Sequence, residues 1–144
     1  MSFTHPIRIG FGQCDPAGIV FYPRYFEMIN ATVEAFCGAR LGWSFANITA
    51  SKGNGVPTVS IACEFHAPSR VDDLLAFELE VVRVGGASAS FRITARAEAP
   101  KPEKRLTAEL TLCWVEGGRA APWPAPIRER LLDAQRERDE DPKT

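Results

Sequence analysis

Four successive segments between residues 59 and 114 alternate apolar and polar side chains with a period of two, as half-buried β-strands do. Val59, Ile61, Cys63 and Phe65 stand against Ser60 and Glu64, and Leu75, Phe77, Leu79 and Val81 against Glu78 and Glu80. Ala89, Phe91, Ile93, Ala95 and Ala97 face away from Arg92, Thr94 and Arg96; Leu106, Ala108, Leu110, Leu112 and Trp114 face away from Thr107, Glu109 and Thr111. The turn signals Pro68-Ser69, Gly85-Gly86 and Ala99-Pro100-Lys101-Pro102 separate them. A parallel return needs a crossover of about a dozen residues or more, so connections this short demand antiparallel neighbours.

A fifth alternating run, Phe3 to Phe11, opens the chain and predicts another strand. Pro23 then marks a change of period. Tyr22, Tyr25, Phe26, Ile29, Val33 and Phe36 recur every three or four residues, which predicts a helix over residues 23–38 ended by Gly38. The order is strand, helix, four strands, an α+β layout with one long helix on one face of a five-stranded antiparallel sheet. Residues 1–126 read as this domain. Residues 127–144 read as a charged tail, with a short helix over 126–137 in which Arg128, Glu129, Arg130, Asp133 and Glu137 alternate in sign. That helix is expected to be a solvated cap.

Several functions are disfavoured at once. The 17 basic and 18 acidic residues give a formal charge of -1, so there is no global field for nucleic acid or an anionic membrane. No apolar stretch approaches the roughly 20 residues of a spanning helix. Cys14, Cys37, Cys63 and Cys113 form no C-x-x-C pair, and His5 and His66 stand at no ligand spacing, so the expectation is reduced thiols in the cytoplasm and no metal. Nucleophile-elbow, zinc-protease and phosphate-loop motifs are missing.

What remains is Asp15, in the loop Gln13-Cys14-Asp15-Pro16-Ala17-Gly18 just before the long helix. The first amides of a helix lack internal partners, so the backbone at Tyr22, Arg24 and Tyr25 is expected to bind an anion or a carbonyl oxygen becoming one. A carboxylate nearby supplies a nucleophile or a base for water, which completes the parts of acyl transfer. An aspartate before proline also shapes turns, and spacing alone does not separate the two roles. Cys14 reads as a packing residue and His66 as a surface histidine.

The run Asp15-Pro16-Ala17-Gly18-Ile19-Val20-Phe21-Tyr22-Pro23-Arg24-Tyr25 closely resembles the D-x-A-G-[IV]-[VL]-[FWY]-[YF]-x-x-Y signature of hotdog-fold acyl-CoA thioesterases, in particular the 4-hydroxybenzoyl-CoA thioesterase branch. The likeness continues through Pro57-Thr58-Val59-Ser60 and Val71-Asp72-Asp73-Leu74. It implies a sheet wrapped around the helix, Asp15 as catalytic carboxylate and the Tyr22 N–H as the group polarising the thioester carbonyl. It also implies an acyl group lying beside the helix at Tyr25, Phe26 and Asn30. A second subunit would complete the site with Pro57, Thr58 and Ser60, in a homodimer or homotetramer.

Two departures matter. Asn30 stands where that branch carries an acidic residue, removing the charge that favours a phenol. The hairpin Val84-Gly85-Gly86-Ala87-Ser88 lacks the basic residues that grip coenzyme A there, leaving Arg83, Arg92 and Arg96 as candidates. The resulting expectation is hydrolysis of a benzoyl-type acyl-CoA without a cofactor, coenzyme A being part of the substrate. The rivals are a short fatty acyl-CoA or acyl carrier protein thioester, and a non-catalytic acyl-thioester binding module.

Overall fold

The computed structural model describes residues 3–51 and 53–140. Strand β1 is Phe3–Arg8 and is followed by a 3-10 turn, Phe11–Gln13. Helix α1, Pro23–Phe36, leads to a one-turn helix α2, Phe45–Ile48. Strands β2 (Thr58–Phe65), β3 (Leu74–Val84), β4 (Ser88–Ala97) and β5 (Glu103–Cys113) follow. A two-stranded ribbon, β6 (Val115–Glu116) and β7 (Arg119–Ala120), precedes helix α3, Ala125–Glu140.

The five long strands form one sheet in the order β1-β3-β4-β5-β2, with every pair antiparallel. One face buries Leu75, Phe77, Leu79 and Val81 of β3, Phe91 and Ile93 of β4, and Leu106, Ala108 and Leu110 of β5. Against it α1 buries Tyr25, Met28, Ile29, Val33 and Phe36. The Phe36 ring meets Phe3 at 5.7 Å and Phe91 at 5.8 Å, both edge to face. This is the wrapped-helix, hotdog arrangement. Glutamates and arginines on the other side of the sheet pair across strands, Arg96 with Glu78 and Arg92 with Glu109, each at 3.0 Å.

Three boundaries differ from expectation. The first strand stops at Arg8, because the Gly10 N–H is captured by Gln13 Oε1 at 2.8 Å and the chain turns, leaving Phe11 exposed at 85%. The long helix does not stop at Gly38. It widens into a π-helical turn, Cys37–Leu41, and closes at Gly42, whose φ of 68° suits glycine. A Cβ there would also lie 2.6 Å from Arg130 Nη1. The C-terminal helix is longer than expected and is docked, with Ile127 and Leu131 buried in the common core and Gln135 Nε2 donating to Val82 O. Near its start Trp43, Trp114 and Trp123 stack, with ring centroids 5.5 and 5.9 Å apart.

Strand β2 lies at the sheet edge beside β5, and only its end meets α1, where Phe65 packs on Tyr25. Its apolar face is consequently open: Val59 is 62% exposed, Ile61 40% and Phe65 47%. Among the described residues no helix is long and apolar enough to cross a membrane.

Candidate active site

The loop carrying Asp15 is tied into a tight reversal. The Asp15 N–H donates to Ile19 O at 3.0 Å, the Gly18 N–H donates to Asp15 O at 2.9 Å, and Cys14 bridges Val20. Gly18 completes the turn at a φ of 82°. Asp15 Oδ1 accepts from the Ala17 N–H at 2.9 Å, so the side chain braces its own turn with one oxygen. Among the described residues Oδ2 accepts no hydrogen bond, which leaves one carboxylate oxygen for chemistry. The two roles left open by spacing are compatible in one side chain.

The start of α1 holds fewer open amides than helix geometry alone suggests. Pro23 has no N–H, and Tyr22 is already in the helical conformation. The Arg24 N–H therefore donates to Phe21 O at 2.8 Å and the Tyr25 N–H to Tyr22 O at 3.0 Å, in three-residue closures. Of the three amides expected to be open, only the Tyr22 N–H has no acceptor among the described residues.

Tyr22 also lines a cavity of about 580 Å³. One wall is Ile19, Val20, Tyr22 and Tyr25; the other is the end of β2 and the following turn, Phe65 to Pro68. The Phe65 ring stands 5.6 Å from Tyr25 and 6.1 Å from Tyr22, so three aromatic rings contribute to an otherwise mainly aliphatic lining. His66 is exposed and belongs to this wall, its Nε2 3.0 Å from Thr107 Oγ1. Asp15 is not on the wall; it is joined to it through the hydrogen bond to Ile19. Cys14 is partly buried, its Sγ directed at Gly10 O.

Of the expected substrate contacts, Tyr25 reaches the cavity, whereas Phe26 and Asn30 are exposed on α1 outside it. Pro57, Thr58 and Ser60 are exposed around the beginning of β2, and Phe65 is at its end. A rise of about 3.3 Å per residue separates Thr58 from Phe65 by roughly 20 Å, so one protomer does not bring both ends of β2 to one cavity. Arg92 and Arg96 are engaged with glutamates, which weakens both as phosphate contacts; Arg83 is exposed. Among the described residues no three His, Cys, Asp or Glu side chains gather as a metal ligand set.

Behind the cavity lies a buried polar cluster that the sequence did not announce. Arg105, its side chain 7% exposed, donates from Nη1 to Asp73 Oδ2 at 2.8 Å and to Ser69 Oγ at 2.9 Å. Glu103 Oε1 sits 2.8 Å from Nε but off the N–H direction, an ionic contact without an aligned hydrogen bond. Burial by itself would raise the Asp73 carboxyl. Hydrogen bonds from Arg105 and the Arg70 N–H, with the charges of both guanidiniums, outweigh it and hold the carboxyl below its ordinary range.

A lowered folded-state pKa gives stability that is present above the unfolded value, about 3.9, and lost as pH falls below it. Melting temperature should therefore drop from pH 5 towards pH 3, and Asp73→Asn should flatten that acid limb while lowering stability at neutral pH. An unchanged limb in the variant would show that the pair carries no linkage.

A family model described as the thioesterase superfamily matches residues 17–104. The chain belongs to the thioesterase superfamily. The matched stretch begins two residues after Asp15. A curated relative, the 4-hydroxybenzoyl-CoA thioesterase of Pseudomonas sp. strain CBS-3, is 35% identical over 81 residues, which are 54% of this chain and 55% of that protein. The chain thus spans about half the length of the curated relative it matches. The solved structure of 4-hydroxybenzoyl-CoA thioesterase from that strain superposes with a TM-score of 0.80 at 27% identity, covering 90% of this chain and 98% of that one. A 1,4-dihydroxy-2-naphthoyl-CoA thioesterase from Synechocystis shares the fold of this superfamily member, with a TM-score of 0.82 at 18% identity over 92% of this chain and 97% of that one.

Proposed function

We propose that the protein hydrolyses the thioester of an aromatic, benzoyl-type acyl-CoA. The observation that carries this reading is the cavity lined by Tyr22, Tyr25 and Phe65, with the Tyr22 N–H unpartnered among the described residues and the loop that braces Asp15 alongside. The named activity of the 35% identical relative, on 4-hydroxybenzoyl-CoA, supports it.

In this proposal the acyl group lies against Tyr25 and Phe65 with its carbonyl oxygen towards the Tyr22 N–H. That donor strengthens as the oxygen becomes an anion. The free Asp15 oxygen either attacks the carbonyl carbon, expelling the coenzyme A thiolate and leaving an anhydride that water then opens, or takes a proton from a water that attacks instead. Both routes end in free acid and coenzyme A and use no other cofactor.

A second copy of the chain completes the site. Phe21, Tyr22, Phe26, Val59, Ile61 and Phe65 form an exposed apolar patch across the start of α1 and the face of β2. Two such patches facing one another would bring Pro57, Thr58 and Ser60 of one copy towards the cavity of the other. Four unpaired thiols fit a reducing cytoplasm.

Release of coenzyme A from benzoyl, 4-hydroxybenzoyl, aminobenzoyl, phenylacetyl, butyryl and octanoyl thioesters tests the substrate class. The aromatic members should exceed the straight-chain ones by about tenfold or more in kcat/KM, and the neutral Asn30 should give 4-hydroxybenzoyl no large advantage over benzoyl. Straight-chain preference would replace the reading with that of a fatty acyl thioesterase.

A further inference from the structure

Arg105 owes its position to a β-bulge. The β4–β5 register passes from Ala95 opposite Leu106 to Arg96 opposite Lys104, leaving Arg105 as the extra, unpaired residue. Strict alternation would send its side chain to the face opposite Leu106, yet Arg105 and Leu106 are both buried. A bulge re-aims a side chain in this way.

Main chain and side chain of this one residue reach both walls of the cavity. The Arg105 carbonyl accepts from the His66 N–H at 2.8 Å and the Ala67 N–H at 3.4 Å, which fixes the wall after β2. The guanidinium holds the hydroxyl of Ser69, a fully buried residue whose carbonyl accepts from the Val20 N–H at 2.8 Å on the opposite wall. The same hydroxyl lies near the Tyr25 phenol and favours its ionised form. Asp73 locks the guanidinium from the other side, and its carbonyl accepts from the Ile9 N–H at 2.8 Å at the root of the Asp15 loop.

We propose that Arg105 is a positioning residue: through Ser69 and its own carbonyl it sets the separation of the two cavity walls, and so selects which acyl groups fit. A buried ion pair is weak evidence for a stabilising role, since an apolar residue of similar volume often serves the fold as well. What the guanidinium adds is a rigid planar set of donors with fixed directions. The proposal rests on the cavity being the acyl site.

Ser69→Ala is the sharpest test, because it removes the hydroxyl that the guanidinium holds and leaves the Arg105–Asp73 pair in place. Steady-state hydrolysis of benzoyl-CoA and butyryl-CoA should show the benzoyl to butyryl ratio of kcat/KM falling by about tenfold, through KM and with little change in kcat. Arg105→Met should lower the ratio at least as far, with Arg105→Lys intermediate; if Arg105→Met does not fold, Ser69→Ala carries the test.

The phenol offers a second readout. The chain has two tyrosines, so a Tyr22→Phe background isolates Tyr25 in an ultraviolet titration. Burial raises that phenol, while the nearby Ser69 hydroxyl and the Arg105 charge pull it back. Ser69→Ala should move its ionisation to higher pH. An unchanged substrate ratio in Ser69→Ala, in a protein whose wild type hydrolyses both thioesters, would overturn the proposal alone. A wild type that hydrolyses neither would remove the acyl-CoA reading, and this proposal with it.

Discussion

Asp15→Asn should retain the fold and lose turnover by about a thousandfold, within the range that removal of a positioned acid or base commonly costs. The reasoning is geometric. The amide keeps an oxygen to accept from the Ala17 N–H, so the turn that presents residue 15 is preserved, and what disappears is the negative charge on the second oxygen. Asp15→Ala removes both, so it should lose activity to the same extent and also about 1 kcal/mol of stability as the turn loses its brace. Coenzyme A release and thermal melting separate these effects. Hydrolysis by Asp15→Asn within twofold of wild type would reduce Asp15 to a turn former and leave the Tyr22 amide without a chemical partner.

The second large effect concerns assembly. Light scattering at micromolar concentration should show a dimer or tetramer, and Ile61→Asp should yield monomers with hydrolysis nearly abolished. Ile61 lies in the middle of β2 and is 40% exposed within its own protomer. In an interface a carboxylate there would be desolvated without a partner, at a cost of several kcal/mol, and each 1.4 kcal/mol weakens association tenfold. In an isolated protomer the side chain is already partly open to water, so folding should be less affected than assembly. A variant that stays oligomeric and active would move the subunit contact away from β2.

Much of the architecture is written locally. The alternations ending at Phe65, Val81, Ala97 and Trp114 identify strands, and the apolar face of α1 follows from its three-to-four spacing. Strand order is different in kind: that β2 pairs with β5 and β1 with β3 depends on contacts distant in sequence. Gly38 and Gly42 look equally suited to end a helix, and only packing decides between them. Asp15, Tyr22 and Tyr25 stand in one legible run, whereas Phe65 to Pro68 reach the cavity because the end of β2 happens to lie beside α1. Arg105 was hidden for a related reason. In the string Lys104-Arg105-Leu106 it reads as one more outward polar residue, and its inward turn exists only in the pairing with β4. The closures at Arg24 and Tyr25 likewise depend on the helical backbone of Tyr22, which no residue type announces.

The three stacked tryptophans, Trp43, Trp114 and Trp123, are all the indoles of the chain, and none lines the cavity. Emission excited at the red edge should therefore track unfolding of the core and release of α3 while remaining nearly blind to ligand. Every substitution considered above leaves these fluorophores intact, so conformational integrity and occupancy of the cavity can be followed in separate optical channels.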